Sequence, residues 1–291
     1  MFWQPKRPEV TIGQLYRSVR DRFRVAGLPT PELDARLLVS AALELPLSEL
    51  VFREQEEAAP GAAELAEAYA RKRLDGMPVG RILGERDFYG RRFHLNEATL
   101  EPRPDTETLI DAVLERCAPE EAPFICDIGT GTGAIAVTLL AELPRSRMIA
   151  VDLSEQALEC AAGNASLHGV EDRFLPVRAD YTSALRPESG FDWVVSNPPY
   201  IRSAVLAELS REVIQHDPKL ALDGGEDGLT AYVRIVADAV KLLRPGGWIA
   251  LEIGFDQGED LKKQLRHHGF VEIEIIKDLS GNDRVVVGRR L

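Results

Sequence analysis

From residue 101 onward the chain alternates short β-rich runs with helical segments, and this alternation leaves few folds open. The runs are 123–128 (PFICDI), 147–152 (RMIAVD), 173–178, 191–196 (FDWVVS), 247–253 (GWIALEI), 270–277 and 284–288. Helical patterns separate the first several. Strands that alternate with helices pair in parallel, and the helices then cover both faces of the sheet. Only the turn Ser280-Gly281-Asn282-Asp283 joins the last two runs, so that pair is expected to be antiparallel. The fold class is α/β.

The first 75 residues read differently. In 11–26, Ile12, Leu15, Tyr16, Val19 and Phe23 fall on one helical stripe, which we read as core packing. Gly27 stops that helix, and Thr30-Pro31 has the form of an N-cap followed by proline at the first helical position. Leu33, Leu37, Leu38 and Ala41 carry a second helix, 48–57 a third, and an Ala/Glu/Arg-rich helix runs from Pro60-Gly61 to Asp75-Gly76. The expected organisation is a helical domain over 1–76, a β-hairpin-like linker over 77–100 turning at Tyr89-Gly90, and an α/β domain over 101–291.

The net charge of −12 is unevenly placed: −1 on residues 1–76, +1 on 77–100 and −12 on 101–291. A surface that grips many phosphates needs clustered basic residues, so nucleic-acid binding is disfavoured. No run approaches the roughly 18 apolar residues of a membrane span, and the N-terminus lacks the apolar core of a secretory signal. Cys117, Cys126 and Cys160 have neither disulfide-framework nor CxxC spacing, and the five histidines form no HxxxH pair. A reducing, cytoplasmic setting with no metal is the expectation. Lys6, Arg7, Arg17, Arg20, Arg22 and Arg24 raise residues 1–24 to +4, and Arg81, Arg86, Arg91, Arg92 and Arg103 make the connector basic. Both stretches read either as solvated faces or as contacts for an acidic partner.

Chemistry is written in two places. Asp127-Ile-Gly-Thr-Gly-Thr-Gly133 follows a strand and opens a helix, with Gly129, Gly131 and Gly133 allowing a tight turn and close approach of a ligand to the backbone. Asp152, closing the next strand, is suited to ribose hydroxyls. Together they indicate an adenosine-containing ligand. The run FDWVVS then ends in Asn197-Pro198-Pro199-Tyr200. Each proline fixes its own φ, holds the preceding residue extended and offers no N–H. The Asn197 side-chain oxygen and the Pro198 carbonyl thus form a rigid pair of acceptors for a planar –NH2 group, with Tyr200 against its π face. An amide or aryl amine is a poor nucleophile, and holding both its N–H bonds before a cationic methylsulfonium favours attack by nitrogen. Hydride transfer has no use for such a motif.

DIGTGTG, AVDLS, Ala179-Asp180 and SNPPY resemble class I S-adenosylmethionine-dependent methyltransferases. With GERDFYGRRF, EPRPDTE (101–107), HDPKLALDGGEDGL (216–229) and EIGFDQG (252–258), the whole chain resembles the peptide chain release factor N5-glutamine methyltransferase family (PrmC/HemK). The resemblance implies a Rossmann-like, mostly parallel seven-stranded sheet with an antiparallel last strand, behind a small N-terminal helical bundle that recognises the release factor. It implies S-adenosyl-L-methionine as cofactor, S-adenosyl-L-homocysteine as product, and the glutamine of the Gly-Gly-Gln motif as the methylated group. Gly129, Thr130, Gly131, Thr132 and Gly133 would wrap the methionine end, Asp152 would bind the ribose hydroxyls and Tyr181 would lie against the adenine, with Asp127 and Asp180 also among the cofactor-binding residues. Asn197, Pro198, Pro199 and Tyr200 would hold the glutamine amide, with Asn197 also near the cofactor. No side chain is needed as a general base; catalysis rests on positioning and on aimed acceptors. Glu101, where the family usually has an apolar residue, and Asp105, where Glu is commoner, are departures. The expected protein is a monomer that makes no direct contact with nucleic acid or membrane. The rivals are an adenine-N6 DNA or RNA methyltransferase, for which the chain lacks a basic target-recognition domain, and a non-enzymatic binding module that keeps the fold.

Overall fold

The structure is a computed structural model describing residues 10–59, 61–118 and 120–291. Lys6, Arg7 and Pro60 lie outside the described residues. The chain divides into two compact units, the first ending at Gly84 and the second beginning at Glu85.

The first unit is helical. Helix α1 (Ile12–Val25) starts in a capping box, in which the Thr11 hydroxyl accepts from Gln14 N and the Gln14 side chain accepts from Thr11 N. Its stripe of Ile12, Leu15, Val19 and Phe23 is buried. Helix α2 (Pro31–Ala42) begins at the expected proline, but Thr30 does not cap it. The Thr30 hydroxyl donates to Asp34 Oδ1 instead, at 2.7 Å. Helix α3 is only Glu49–Phe52, shorter than the expected 48–57. The residues beyond it leave the helix to serve the start of α1, where Glu56 O and Glu54 O accept from Ile12 N and Gly13 N at 2.9 and 3.0 Å. Two donors that a helix N-terminus leaves without partners are satisfied this way. Helices α4 (Ala62–Leu74) and α5 (Val79–Leu83) complete the unit. In its interior Arg73 Nε donates to Asp34 Oδ2 at 2.7 Å, both side chains being buried.

The segment 77–100 does not behave as one linker. Helix α5 buries Val79 and Ile82 in the first core. The hairpin of β1 (Glu85–Phe88) and β2 (Arg91–His94) buries Phe88 and Phe93 in the core of the second unit. Apolar side chains on the two sides of Gly84 thus belong to different interiors. The hairpin turns at Tyr89-Gly90, both with positive φ, as a two-residue turn of primed type requires.

In the second unit, helix α6 (Glu107–Leu114) precedes a sheet of β3 (Phe124–Ile128), β4 (Arg147–Asp152), β5 (Phe174–Arg178), β6 (Phe191–Ser196), β7 (Leu243–Glu252), β8 (Phe270–Lys277) and β9 (Asp283–Arg290). Their order is β5-β4-β3-β6-β7-β9-β8. Strands β3 to β7 pair in parallel, and β9, the last in sequence, is antiparallel to both neighbours. Strand β7 starts earlier than expected, because Leu243 pairs Phe191 before a register shift that restores pairing at Trp248. Helices α7 (Ala134–Glu142) and α8 (Glu155–Leu167) pack with α6 in one buried layer. Helices α10 (Thr230–Leu242) and α11 (Gly258–His267) pack in the other, and the short α9 (Arg211–His216) lies in the segment between β6 and α10. The chain moves outward from β3 in one direction through β4 and β5, and in the other through β6 and β7. Such a reversal opens a crevice at the carboxyl ends of the central strands, where open α/β sheets bind their ligands.

Candidate active site

The glycine loop follows β3 and is tied to the end of β4. Gly129 N and Thr130 N both donate to Val151 O, at 2.8 and 2.9 Å. Gly131 N donates to Asp152 Oδ2 at 2.9 Å, and Ser154 N to Asp152 Oδ1 at 2.9 Å. Each Asp152 oxygen thereby takes one backbone N–H and keeps a lone pair for a ligand. Gly129, Gly131 and Gly133 have φ of +75, +56 and +77°, conformations that a side chain resists. The third caps α7. From the other side, the buried Asn164 of α8 holds the loop by donating to Thr132 O at 2.9 Å, while its oxygen accepts from His94 N of the hairpin at 2.8 Å.

Beneath the loop Asp127 is fully buried. Its Oδ2 accepts from the Thr130 hydroxyl at 2.7 Å, and Oδ1 has no hydrogen-bond partner. Burial pushes this carboxyl up to about 7, with the neighbouring Asp152 adding to the effect and the Thr130 hydroxyl opposing it.

A cleft of about 200 Å³ opens over the loop. Gly129, Thr130, Gly131, Thr132, Asp152, Asp180, Tyr181, Asn197 and Pro199 line it, together with apolar Ile128, Ile135, Leu153 and Leu220. Asp127 and Gly133 stand behind the wall. Asp180 is engaged by both Arg234 amino nitrogens, at 3.2 and 2.8 Å, and the same guanidinium stacks 4.4 Å from the Tyr181 ring centroid. Tyr181 itself sits at a φ of +50°. One arginine of α10 therefore fixes both of these candidate cofactor-binding residues, and nothing in the local sequence pointed to it.

A second cavity, of about 290 Å³, meets the first at Leu100, Arg103, Asn197 and Ala221. Tyr200, Ile201, Glu252 and Arg284 also line it. Asn197 and Pro199 face the first cleft and Asn197 and Tyr200 the second, whereas Pro198 is buried and lines neither. Asn197 Nδ2 donates to the Thr106 hydroxyl at 3.3 Å. Burial, reinforced by the Glu252 charge, pushes the Tyr200 phenol up to about 12, so the ring stays neutral.

The flanking motifs hold Asn197-Pro-Pro-Tyr200 in place. Ile201 N donates to Leu222 O at 3.0 Å, and Gly224 N to Ile201 O at 2.8 Å. A Cβ on Gly224 would lie 2.8 Å from the Tyr200 backbone, so this approach admits only glycine. Gln257 donates through Nε2 to Tyr200 O and Gly228 O at 3.0 and 3.2 Å, while its Oε1 accepts from Gly254 N at 2.9 Å. The departures are answered locally: Glu101 pairs with Arg86 at 3.1 Å and Asp105 with Arg284 at 3.4 Å.

Most described arginines of the basic stretches are also paired internally. Arg91 meets Glu142, Arg92 meets Glu85 and Arg103 meets Asp217. In the helical unit Arg17, Arg20, Arg22 and Arg24 meet Glu54, Asp21, Glu67 and Glu32. Among the described residues no group of His, Cys, Asp and Glu is arranged to hold a metal, and no helix is long and apolar enough to cross a membrane.

Sheet order, glycine loop and ligand crevice define a class I, S-adenosylmethionine-dependent methyltransferase. The Methyltransferase small domain family matches residues 105–227, and the PrmC N-terminal domain family matches 14–84. The fold is shared with the hMettl16 catalytic domain solved with a MAT2A 3′UTR hairpin, at a TM-score of 0.55, 18% identity, and coverage of 68% of this chain and 74% of that one. It is also shared with the T. thermophilus 16S rRNA methyltransferase RsmC in complex with AdoMet and guanosine, at a TM-score of 0.51, 18% identity, and coverage of 71% and 50%. In sequence, the chain is 41% identical over 286 residues to the release factor glutamine methyltransferase of Agrobacterium fabrum, covering 97% of this chain and 98% of that one. It is 43% identical to that of Bradyrhizobium diazoefficiens (97% and 95% covered) and 40% identical to that of Moorella thermoacetica (97% and 99%). The chain belongs to the release factor glutamine methyltransferase family.

Proposed function

We propose that this protein methylates the side-chain amide nitrogen, N5, of the glutamine in the Gly-Gly-Gln motif of peptide chain release factors. The observation that carries the reading is the pair of cavities that meet at Asn197. One is built for a nucleoside, the other admits a side chain, and the residue between them carries an amide-binding oxygen.

The first cleft suits S-adenosyl-L-methionine. Asp152 keeps lone pairs for a diol, Tyr181 and Leu153 offer apolar contact to a base, and Asp127 holds an unpartnered oxygen below the loop for the positively charged end. The bound cofactor supplies a methyl group activated by its cationic sulfur and leaves as S-adenosyl-L-homocysteine. What the chain's own residues contribute is orientation. Asn197 Oδ1 would accept an amide hydrogen, and the Tyr200 ring would bound the amide on one face; Pro198, which lines neither cavity, would act by holding Asn197 and Pro199 in their extended course. Held so, the nitrogen is presented toward the first cleft without translational freedom, which is worth many orders of magnitude in effective concentration.

The helical unit, matched to its own family segment, is the proposed recognition element for the release factor. The internal pairing of its arginines argues that contact there would rest on shape and apolar residues more than on bare charge. To test the function, the protein is incubated with S-adenosylmethionine and either a release factor or DNA, and the product is mapped by mass spectrometry. A methyl on the Gly-Gly-Gln glutamine is expected. Label in adenine, or in neither substrate, overturns the reading.

A further inference from the structure

The segment Asp180-Tyr181-Thr182 follows β5, and its first two residues line the first cleft. One face of α10 grips it, and the reaction as described makes no use of that face. Arg234 Nη1 donates to Asp180 Oδ1 at 3.2 Å and Nη2 to Oδ2 at 2.8 Å, while the guanidinium stands over the Tyr181 ring, 4.4 Å from its centroid. Four residues on, Asp238 Oδ2 accepts from the Thr182 hydroxyl at 2.5 Å. Residues four apart share a helix face, so one turn of α10 holds both neighbours of Tyr181. Between them Tyr181 has a φ of +50°, a left-handed conformation that an aromatic residue adopts only where its surroundings impose it.

We infer that Arg234 is a positioning residue for the nucleobase, and that by orienting Asp180 and Tyr181 it makes the first cleft select a purine with a 6-amino group. Asp180 and Tyr181 line the cleft and Arg234 does not, so it acts through them. A guanidinium presents its donors in a flat, rigid fork and has no acceptor. Here the fork takes one lone pair from each Asp180 oxygen and so sets the plane of the carboxylate. The lone pairs that remain can only accept. They suit the N–H of an amino group and repel the oxygen of a 6-oxo base.

The same flat cation lies on the Tyr181 ring. One side chain therefore sets both the ring against which a base stacks and the carboxylate that meets its edge. The pairing also balances the Asp180 charge while leaving it an acceptor, which fits a neutral base. Lysine cannot replace arginine in this role, because an ammonium has neither the fork nor the flat face.

The inference rests on the proposed cofactor of the first cleft, and its test separates the two. Wild type, Arg234→Ala, Arg234→Lys, Asp180→Asn and the double variant Asp180→Asn with Arg234→Ala are titrated by calorimetry with two ligands. One is S-adenosyl-L-homocysteine; the other is S-inosyl-L-homocysteine, which carries a 6-oxo group in place of the 6-amino group. Wild type should prefer the amino nucleoside by about tenfold or more, as one hydrogen bond to a charged group implies. Arg234→Ala should weaken the amino nucleoside by about tenfold and the oxo nucleoside much less, so that the preference falls below about threefold. Arg234→Lys should lose the preference as alanine does. Asp180→Asn should lose it too, and adding Arg234→Ala to that variant should lower the preference no further, because the two residues act as one unit. Equal weakening of both nucleosides by Arg234→Ala would make its role merely structural. Full preference in Arg234→Lys would assign the effect to charge alone, and unchanged affinities in Arg234→Ala would remove Arg234 from the site. Each of these overturns the inference while the cofactor reading stands. If wild type binds neither nucleoside, the cofactor reading falls and the inference falls with it.

Discussion

Asn197 and Asp127 were both visible in the sequence, for different reasons and to different depths. Asn197 stood out because two prolines after a strand end leave acceptors and no donors. That it joins two cavities could not be read, since the second cavity is assembled from residues 100, 200–222, 252 and 284, far apart in the chain. Asn197→Ala should lower kcat by about a hundredfold or more, the usual effect of removing an aimed hydrogen-bonding group. Cofactor affinity measured by calorimetry should stay within about twofold. Asp127 was marked by its place before the glycines, but its unpartnered oxygen and raised proton affinity depend on burial that only the fold supplies. A buried carboxyl pushed up to about 7 stays protonated in the native state while its unfolded counterpart ionises near 4. The unliganded protein should therefore lose stability as pH rises from about 4 to 7, because the unfolded state has released a proton that the native state retains. A cationic ligand has the opposite preference, for the ionised form. Cofactor affinity should accordingly weaken by up to tenfold per unit as pH falls below about 7, and Asp127→Asn should flatten that dependence. A pH-independent affinity in wild type would remove Asp127 from the cofactor site.

The strands and their order of hydrophobic runs were legible because period and turn chemistry are local. The lengths of α3 and β7 were not. Helix α3 stops because the following backbone is needed by the first turn of α1, and β7 extends because Leu243 finds Phe191 across a register shift. Both outcomes depend on a partner strand or helix that a local pattern does not contain. The segment 216–229 gives the converse case. Its glycines were quoted only as part of a resemblance, yet the structure supplies a steric reason for one of them. Gly224 N donates to Ile201 O, and a Cβ on this residue would lie 2.8 Å from the backbone of Tyr200. Gly224→Ala should push the Asn197-Pro-Pro-Tyr200 segment out of register, lowering kcat at least tenfold, while far-ultraviolet circular dichroism stays near wild type. Because Gly129 to Gly133 are held from β4 and α8, the cofactor cleft should survive this change. Cofactor affinity near wild type alongside impaired kcat would confirm that the two cavities are built by separable elements; joint loss would refute it.

At the scale of the whole chain, the −12 lies in residues 101–291, which carry the cofactor motifs, while the basic stretches read either as solvated faces or as contacts for a partner. The structure refines that division. Asp127 alone of the three marked aspartates is without a counter-donor on one oxygen, whereas Asp180 is neutralised by Arg234, and Arg17, Arg20, Arg22, Arg24, Arg86, Arg91, Arg92 and Arg103 of the basic stretches meet internal carboxylates. What separates the two parts of the molecule is thus less their charge than their interiors, which are distinct clusters on either side of Gly84. Both cavities are lined only by residues of the second unit, and the buried Asp34–Arg73 pair belongs only to the first. Removing one member of a buried pair leaves an uncompensated charge and costs about 3–5 kcal/mol. A ligand at a hundred times its Kd stabilises the unit that binds it by about 2.7 kcal/mol. Scanning calorimetry should therefore resolve two transitions with different sensitivities. Arg73→Ala should lower that of the helical unit by more than about 10 °C, and S-adenosylhomocysteine should raise only the other, by about 5–10 °C. A single transition moved by both treatments would show instead that the two interiors melt as one, and that the division at Gly84 is geometric without being energetic.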